Sequence, residues 1–287
     1  MNPQTQIQFF EGPAGLLEVA IDFPAHAGAR AGAVAGVSAG LGTGVSAGVS
    51  AGVSAGLGAA AGAGTGFGLI AHPHPLHGGN HNNKVVQTIA RALRELGLQT
   101  WRPNFRGVGR SEGAYDEGNG EADDLLALLE MAAKILPGMG TPARPLVLAG
   151  FSFGSFVAAK VARVLSDRGN PAAQLILVGP AAARFPMPEV AEDALVIHGE
   201  ADEVVALSEV LAWARPQALP VLVFPDTSHF FHGRLGLLKQ RIKQSLGPLG
   251  LTAAAAIAGA AGAAGAAGAD GADGAAGAAG AAATAAS

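Results

Sequence analysis

The chain has 287 residues, with 18 Lys and Arg against 22 Asp and Glu, a formal net charge of −4 and no cysteine. The absence of a dense Lys/Arg run removes the basic footprint that nucleic-acid binding needs, and the absence of cysteine removes disulfides and thiolate metal sites. Glycine (43 residues) and a large excess of alanine gather in two tracts, at about 26–66 and 251–287. What is left, about 210 residues of ordinary sequence, is the size of one α/β domain with a substantial core.

The opening MNPQTQIQFFEGP has neither a basic region nor a long apolar run, so no signal peptide is expected. QIQFF and GLLEVAIDF (15–23) read as two strands of a hairpin that turns at EGPAG. Next comes the first tract, in which Val37, Leu41, Val45, Val49, Val53 and Leu57 recur every four residues. Such spacing could pack a helix closely through its glycines. Each interior glycine costs a helix about 1 kcal/mol, however, so the tract reads as a low-complexity insertion. Its uncharged stretch from Ala31 to Ala71 is the only transmembrane candidate. It is mostly Gly, Ala and Ser and lies between strands of one sheet, which argues against a crossing. A cytoplasmic protein with no membrane and no nucleic-acid partner is expected.

The strand pattern resumes at GFGLIAHP (66–73). NKVVQTIARALRELG (83–97) sets Val85, Ile89, Leu93 and Leu96 on one helical face, ended by Gly97. LQTWRPNF (98–105) is a strand, residues 106–120 a Gly-rich loop, and 121–136 a helix with acidic residues in its first turn, where they favour the dipole. PLVLAG (145–150), QLILVGP (174–180), ALVIHG (194–199) and LPVLVFP (219–225) are further strands, and 152–169, 207–214 and 231–246 are helices. Strands alternating with helices predict a mostly parallel sheet covered on both faces. The Ala/Gly tail at 251–287 has neither large apolar residues nor charge pairs with which to fold alone.

The pattern G-x-S-x-G marks a serine nucleophile on a sharp strand-to-helix turn. It occurs five times here, at Ser38, Ser46, Ser50, Ser54 and Ser152. Only Ser152 follows a buried strand and opens a helix; the other four are by-products of the repeat. A serine hydroxyl needs a base to take its proton, and on an α/β-hydrolase sheet the chain order is serine, acid, histidine. Asp202 follows one strand end and His229 the last one, which gives that order. Glu200, Glu203 and Asp226 are rival acids and His232 a rival base, while His198, within an apolar strand end, reads as a buried structural residue. Oxyanion donors are expected at the backbone N–H of Phe153, directly after the nucleophile, and of Leu76, in the loop AHPHPLHGGN where Pro73 and Pro75 have no N–H to give.

HPHPLHGGNHNNKVVQTIARALRELG, RPNFRGVGRSEGAYDEGNGEADD, GFSFGSFVAAKVA, LVIHGEADEVVALSEVLAWARPQ and HFFHGRLGLLKQ together resemble small bacterial α/β-hydrolases related to dienelactone hydrolases and serine esterases. The resemblance implies an α/β-hydrolase fold, hydrolysis of an ester or related acyl bond by a triad at Ser152, Asp202 and His229, no cofactor or metal, and a small-molecule acyl substrate. Only GPAAARFPMPEVAEDA separates the sixth strand from the next, too little for a helical cap domain. An open cleft and a modest acyl group are therefore expected, with Phe151, Phe185 and Phe230 as wall candidates and Met187 beside them. Two alternatives stay open. One is a metal-dependent hydrolase built on His72, His74 and His77, with His81 nearby, although Leu76 stands where the H-x-H-x-D-H pattern has aspartate. The other is a non-catalytic hydrolase-fold binding protein.

Overall fold

The computed structural model describes residues 5–24, 66–136, 138–141 and 144–247. The repeat tract, apart from Gly66, and the Ala/Gly tail lie outside the described residues, as do the readings made of them.

Among the described residues, eight strands form one sheet. They are β1 (Gln6–Gly12), β2 (Gly15–Asp22), β3 (Gly66–Ala71), β4 (Leu98–Pro103), β5 (Leu146–Phe151), β6 (Gln174–Val178), β7 (Leu195–Gly199) and β8 (Val221–Phe224), in the spatial order β1-β2-β4-β3-β5-β6-β7-β8. β1 and β2 form the antiparallel hairpin, β2 joins β4 antiparallel, and every other pairing is parallel. The α/β-hydrolase fold class is thus observed. Strands β3 to β6 are buried along their whole length, and β3, β5 and β6 accordingly read as mostly apolar runs rather than alternating ones, while β4 buries Gln99, Thr100 and Arg102.

Five α-helices cover the faces: α1 (Lys84–Glu95), α2 (Asn119–Ile135), α3 (Phe153–Asp167), α4 (Leu207–Ala214) and α5 (Leu235–Ser245). Helices α1 and α5 bury Val85, Ile89, Leu93, Leu238 and Ile242 against one face of the sheet. Their outer ends are joined where Lys239 and Lys243 both reach Glu95, at 2.7 and 2.8 Å. Helices α2, α3 and α4 cover the opposite face over Trp101, Phe67 and Leu148. The Gly-rich loop before α2 is anchored, not free. Arg106 forks onto both oxygens of Asp124 at 2.8 Å, and the buried Glu121 accepts the N–H groups of Asp116 and Gly118 at 2.9 and 2.8 Å.

The last helix starts at Leu235, later than the expected 231. Phe231 and Gly233 both take left-handed φ values, 53° and 71°, which interrupt a helix. His232 consequently lies in a turn before the helix rather than in its first turn. Residues 179–194, between β6 and β7, hold no helix, so there is no large cap domain. Among the described residues no helix is long and apolar enough to cross a membrane.

Candidate active site

β5 delivers the chain to Ser152 at φ 56° and ψ −120°, and α3 leaves from the next residue. A non-glycine residue in that region carries about 1–3 kcal/mol of backbone strain and persists only where its surroundings enforce it. Here the surroundings are two glycines. A Cβ on Gly150 would fall inside the carbonyl of Gly154, and one on Gly154 would fall onto the carbonyls of Ala71 and His72. The pattern around Ser152 is therefore demanded by backbone packing, the condition that the repeat serines lack in sequence. Ser152 N–H is fixed by the Val178 carbonyl at 2.9 Å, which ties the turn to the end of β6.

The loops after β7 and β8 are laced together. Ala201 N–H donates to the Thr227 carbonyl (3.1 Å), Asp226 N–H to Glu200 (3.1 Å) and His229 N–H to Glu203 (3.2 Å). The two rival acids thus act as backbone acceptors that shape the histidine loop. Asp226 is exposed and takes a left-handed φ of 47°. Asp202 meets the imidazole, its Oδ2 accepting from His229 Nδ1 at 2.7 Å. Its Oδ1 is held by the N–H groups of Val204 and Val205, at 2.9 and 2.8 Å. Burial pulls the Asp202 carboxyl upward, but the hydrogen bond from His229 and those from the two backbone groups outweigh it and hold the group below the usual carboxylate range.

His229 and Ser152 share one neighbourhood at the end of β6. A Cβ on Gly179, next to the Val178 that anchors Ser152, would stand 3.3 Å from His229 Cε1. Phe151, directly before the serine, packs its ring 4.9 Å from the imidazole. Ser152 is 8% exposed and His229 2%. Neither the Ser152 hydroxyl nor His229 Nε2 makes a hydrogen bond with another described residue, so the serine and the imidazole are near neighbours without a hydrogen bond between them. His232 is exposed, with its Nδ1 3.5 Å from Ser228 Oγ.

The oxyanion expectation needs a correction in one residue. Leu76 N–H donates to His74 Nδ1 at 3.2 Å inside its own short turn, Pro75–His77, and the Leu76 side chain is 69% exposed. That donor is engaged locally. His74 N–H, by contrast, has no acceptor among the described residues, and His74 lies against the elbow with its ring 5.0 Å from that of Phe153. Phe153 N–H, at the first position of α3, lacks an intrahelical partner as well. The signal for His74 was present in sequence: H-P-H-P stands where hydrolases carry His-Gly-x after the third strand.

The wall candidates divide. Phe151 is fully buried and supports the imidazole from below, so it is a core residue and not a wall. Phe230, 39% exposed, stands over His229 at 5.1 Å. Phe185 is half-buried and packs on Phe153 and Phe156 at 5.0 and 5.1 Å, with His74 at 5.9 Å and Met187 half-buried beside it. Tyr115, not singled out from sequence, joins this group 4.9 Å from His74.

Of the histidines considered as metal ligands, His74 and His77 lie ring to ring at 4.6 Å, but His72 does not join them as a donor. His72 Nε2 accepts from Phe105 N–H at 2.9 Å, and its Nδ1 donates to the Pro73 carbonyl at 2.6 Å. Both ring nitrogens are therefore engaged, and burial pushes the pKa down to about 3. No group of three or more metal-ligating side chains occurs among the described residues.

A family model described as serine aminopeptidase, S33, matches residues 74–192. A lidless α/β serine hydrolase from Xanthomonas campestris is 32% identical, with 86% of this chain and 95% of that one covered and a TM-score of 0.65. An α/β serine hydrolase homologue from Coxiella burnetii is 36% identical, with 84% and 97% covered and a TM-score of 0.62. An uncharacterized protein of Rickettsia prowazekii is 42% identical over 93 residues, which is 32% of this chain and 37% of that relative's length.

Proposed function

The chain belongs to the α/β serine hydrolases, and from that membership we propose that it cleaves a carboxylic ester or related acyl bond of a small molecule through Ser152, His229 and Asp202. The observation that carries the proposal is the strained left-handed φ of Ser152 between β5 and α3, a conformation that lifts the hydroxyl out of the sheet toward the cleft. The kinship with dienelactone hydrolases and serine esterases read from the HPHPL and GFSFG segments is part of the same proposal.

The steps follow from hydrogen-bond direction. Asp202 accepts from Nδ1, so the neutral imidazole keeps its lone pair on Nε2, the nitrogen left open. Nε2 takes the Ser152 proton as Oγ attacks the acyl carbon, and the carbonyl electron pair moves onto oxygen. Phe153 N–H and His74 N–H, both without acceptors, receive that oxyanion; loss of one such donor typically costs about 10²- to 10³-fold in rate. The imidazolium returns its proton to the departing alcohol, and water then repeats the sequence on the acyl-enzyme. The absence of a cap and the nearness of Phe185 and Phe230 support an open cleft for a modest acyl group.

Fluorophosphonate labelling and hydrolysis of p-nitrophenyl esters of increasing chain length test this. Labelling of the parent protein, with activity retained in EDTA, is expected, and both signals should vanish in Ser152→Ala. Ester hydrolysis that persists in Ser152→Ala overturns the proposal; loss of activity in EDTA would favour the metal-dependent alternative instead.

A further inference from the structure

The catalytic reading leaves one buried imidazole unused. His198, near the end of β7, is fully buried, and its Nε2 lies 2.9 Å from the Val205 carbonyl and 3.5 Å from Asp202 Oδ2. A carbonyl only accepts, so Nε2 carries the proton. Nδ1 is then the bare nitrogen, and it is buried with no hydrogen-bond partner. A buried polar atom without a partner is unfavourable and calls for an explanation. A leucine or phenylalanine would fill the same space without it.

The explanation lies in what the other nitrogen reaches. Val205 is the residue whose N–H caps Asp202 Oδ1 at 2.8 Å, and its carbonyl is the group that His198 holds. One ring nitrogen therefore grips the carbonyl of the residue whose N–H fixes one carboxylate oxygen, and turns the same ring N–H toward the other oxygen, the one that accepts from His229. At 3.5 Å the second contact is longer than a full hydrogen bond, yet the N–H dipole still acts on the carboxylate in a dry surrounding.

We propose that His198 is a positioning residue for Asp202, a neutral Nε2–H imidazole that fixes the aspartate and shares its Oδ2 with His229. The proposal rests on the serine-hydrolase reading for its kinetic consequence but not for its structural one. His198 remains neutral because burial outweighs the upward pull of Val205 and Asp202, and His229 lowers it further. The titratable groups facing it are Asp202 on its own loop, His229 from the loop after β8 and Glu209 from α4. Without the competing N–H, Asp202 becomes a stronger partner for the His229 imidazolium, so the acid limb of kcat/KM should move to higher pH.

Two measurements decide it. Imidazole ¹⁵N NMR of the parent protein should show His198 as the neutral Nε2–H tautomer from pH 7 to 8. An Nδ1–H tautomer, or a cation in that range, overturns the proposal whatever the enzyme's activity. Kinetically, His198→Leu should lower kcat about 10-fold, the order expected for one hydrogen bond lost from the support of Asp202, with KM little changed and the acid limb raised. His198→Gln, which keeps a donor at the matching place, should recover most of both. A profile unmoved in His198→Leu overturns the proposal, and so do Leu and Gln variants that fall equally. If Ser152→Ala keeps ester hydrolysis, it is the serine-hydrolase reading that fails, and the NMR result still stands or falls by itself.

Discussion

Replacing Asp202 by asparagine tests the direction of every proton in the candidate site. Asp202 Oδ1 is held by two backbone donors, Val204 and Val205 N–H, at 2.9 and 2.8 Å. In the variant the amide oxygen stays with those two donors, because an NH₂ group placed there would oppose two N–H groups. The NH₂ is thereby turned toward His229, at the place where Oδ2 now accepts from Nδ1 at 2.7 Å. Two donors cannot face each other, so Nδ1 becomes the acceptor and the ring proton moves to Nε2. The nitrogen that should take the Ser152 proton then already carries one. A wrong tautomer of this kind lowers kcat by about 10⁴, or about 5.4 kcal/mol of transition-state stabilisation. The shape of the side chain is unchanged, so circular dichroism and melting should remain near those of the parent. Steady-state hydrolysis of a p-nitrophenyl ester at pH 7.5, with the rate of fluorophosphonate labelling beside it, reads the effect. A variant within tenfold of the parent on both would refute the reasoning, since it would mean that the Asp202 carboxylate does not set the tautomer of His229.

The strain at Ser152 predicts an inversion of the usual glycine penalty: Ser152→Gly should melt higher than Ser152→Ala. Both lack the hydroxyl, but only glycine takes a φ of 56° freely. A net gain of about 1 kcal/mol corresponds to about 2–4 °C in a domain of this size, and an alanine variant as stable as the glycine one contradicts the strained elbow. Acid should weaken the fold well before its carboxylates protonate. The His72 pKa lies near 6.5 in the unfolded chain and is pushed by burial to about 3 in the folded one. Unfolded molecules therefore bind a proton that folded molecules refuse. This contribution is complete above about pH 6.5 and declines as pH falls toward 3, by ~5 kcal/mol at its full extent. Asp202, held below its usual range, loses its contribution in the same direction at lower pH. Urea unfolding at pH 7 and pH 4.5 should show the loss, with a smaller loss in His72→Gln; equal stability at the two values argues against it.

Much of the molecule is determined by local sequence. Mostly apolar runs bounded by Gly and Pro gave β3 and β5 to β8 to within a few residues, and the spacing of Val85, Ile89 and Leu93 gave α1, while its cap at Asn83 came from the structure. These features depend on periodicity and on near neighbours, which one dimension carries. The choice of Ser152 over four identical motifs was also legible, because the strand before it and the helix after it are local as well. The order Ser152, Asp202, His229 could be read, but not that Asp202 reaches the His229 imidazole.

Tertiary structure decided what depends on distant backbone. That Gly150 and Gly154 are required follows from the carbonyls of Gly154, Ala71 and His72, the last two about eighty residues away along the chain. Asp202 prevailed over Glu200 and Glu203 because the β7 and β8 loops are laced so that the glutamates accept backbone N–H groups and only the aspartate faces the imidazole. The N–H of Leu76 is taken up inside a short turn, and Phe151 is buried in the core because β5 turns it against His229. The physical reason is common to all of these. Residue type and spacing set which chemistry a side chain offers, but a hydrogen bond has one donor and one acceptor, and which of several candidates obtains it is settled only when the packed sheet brings remote loops to one edge.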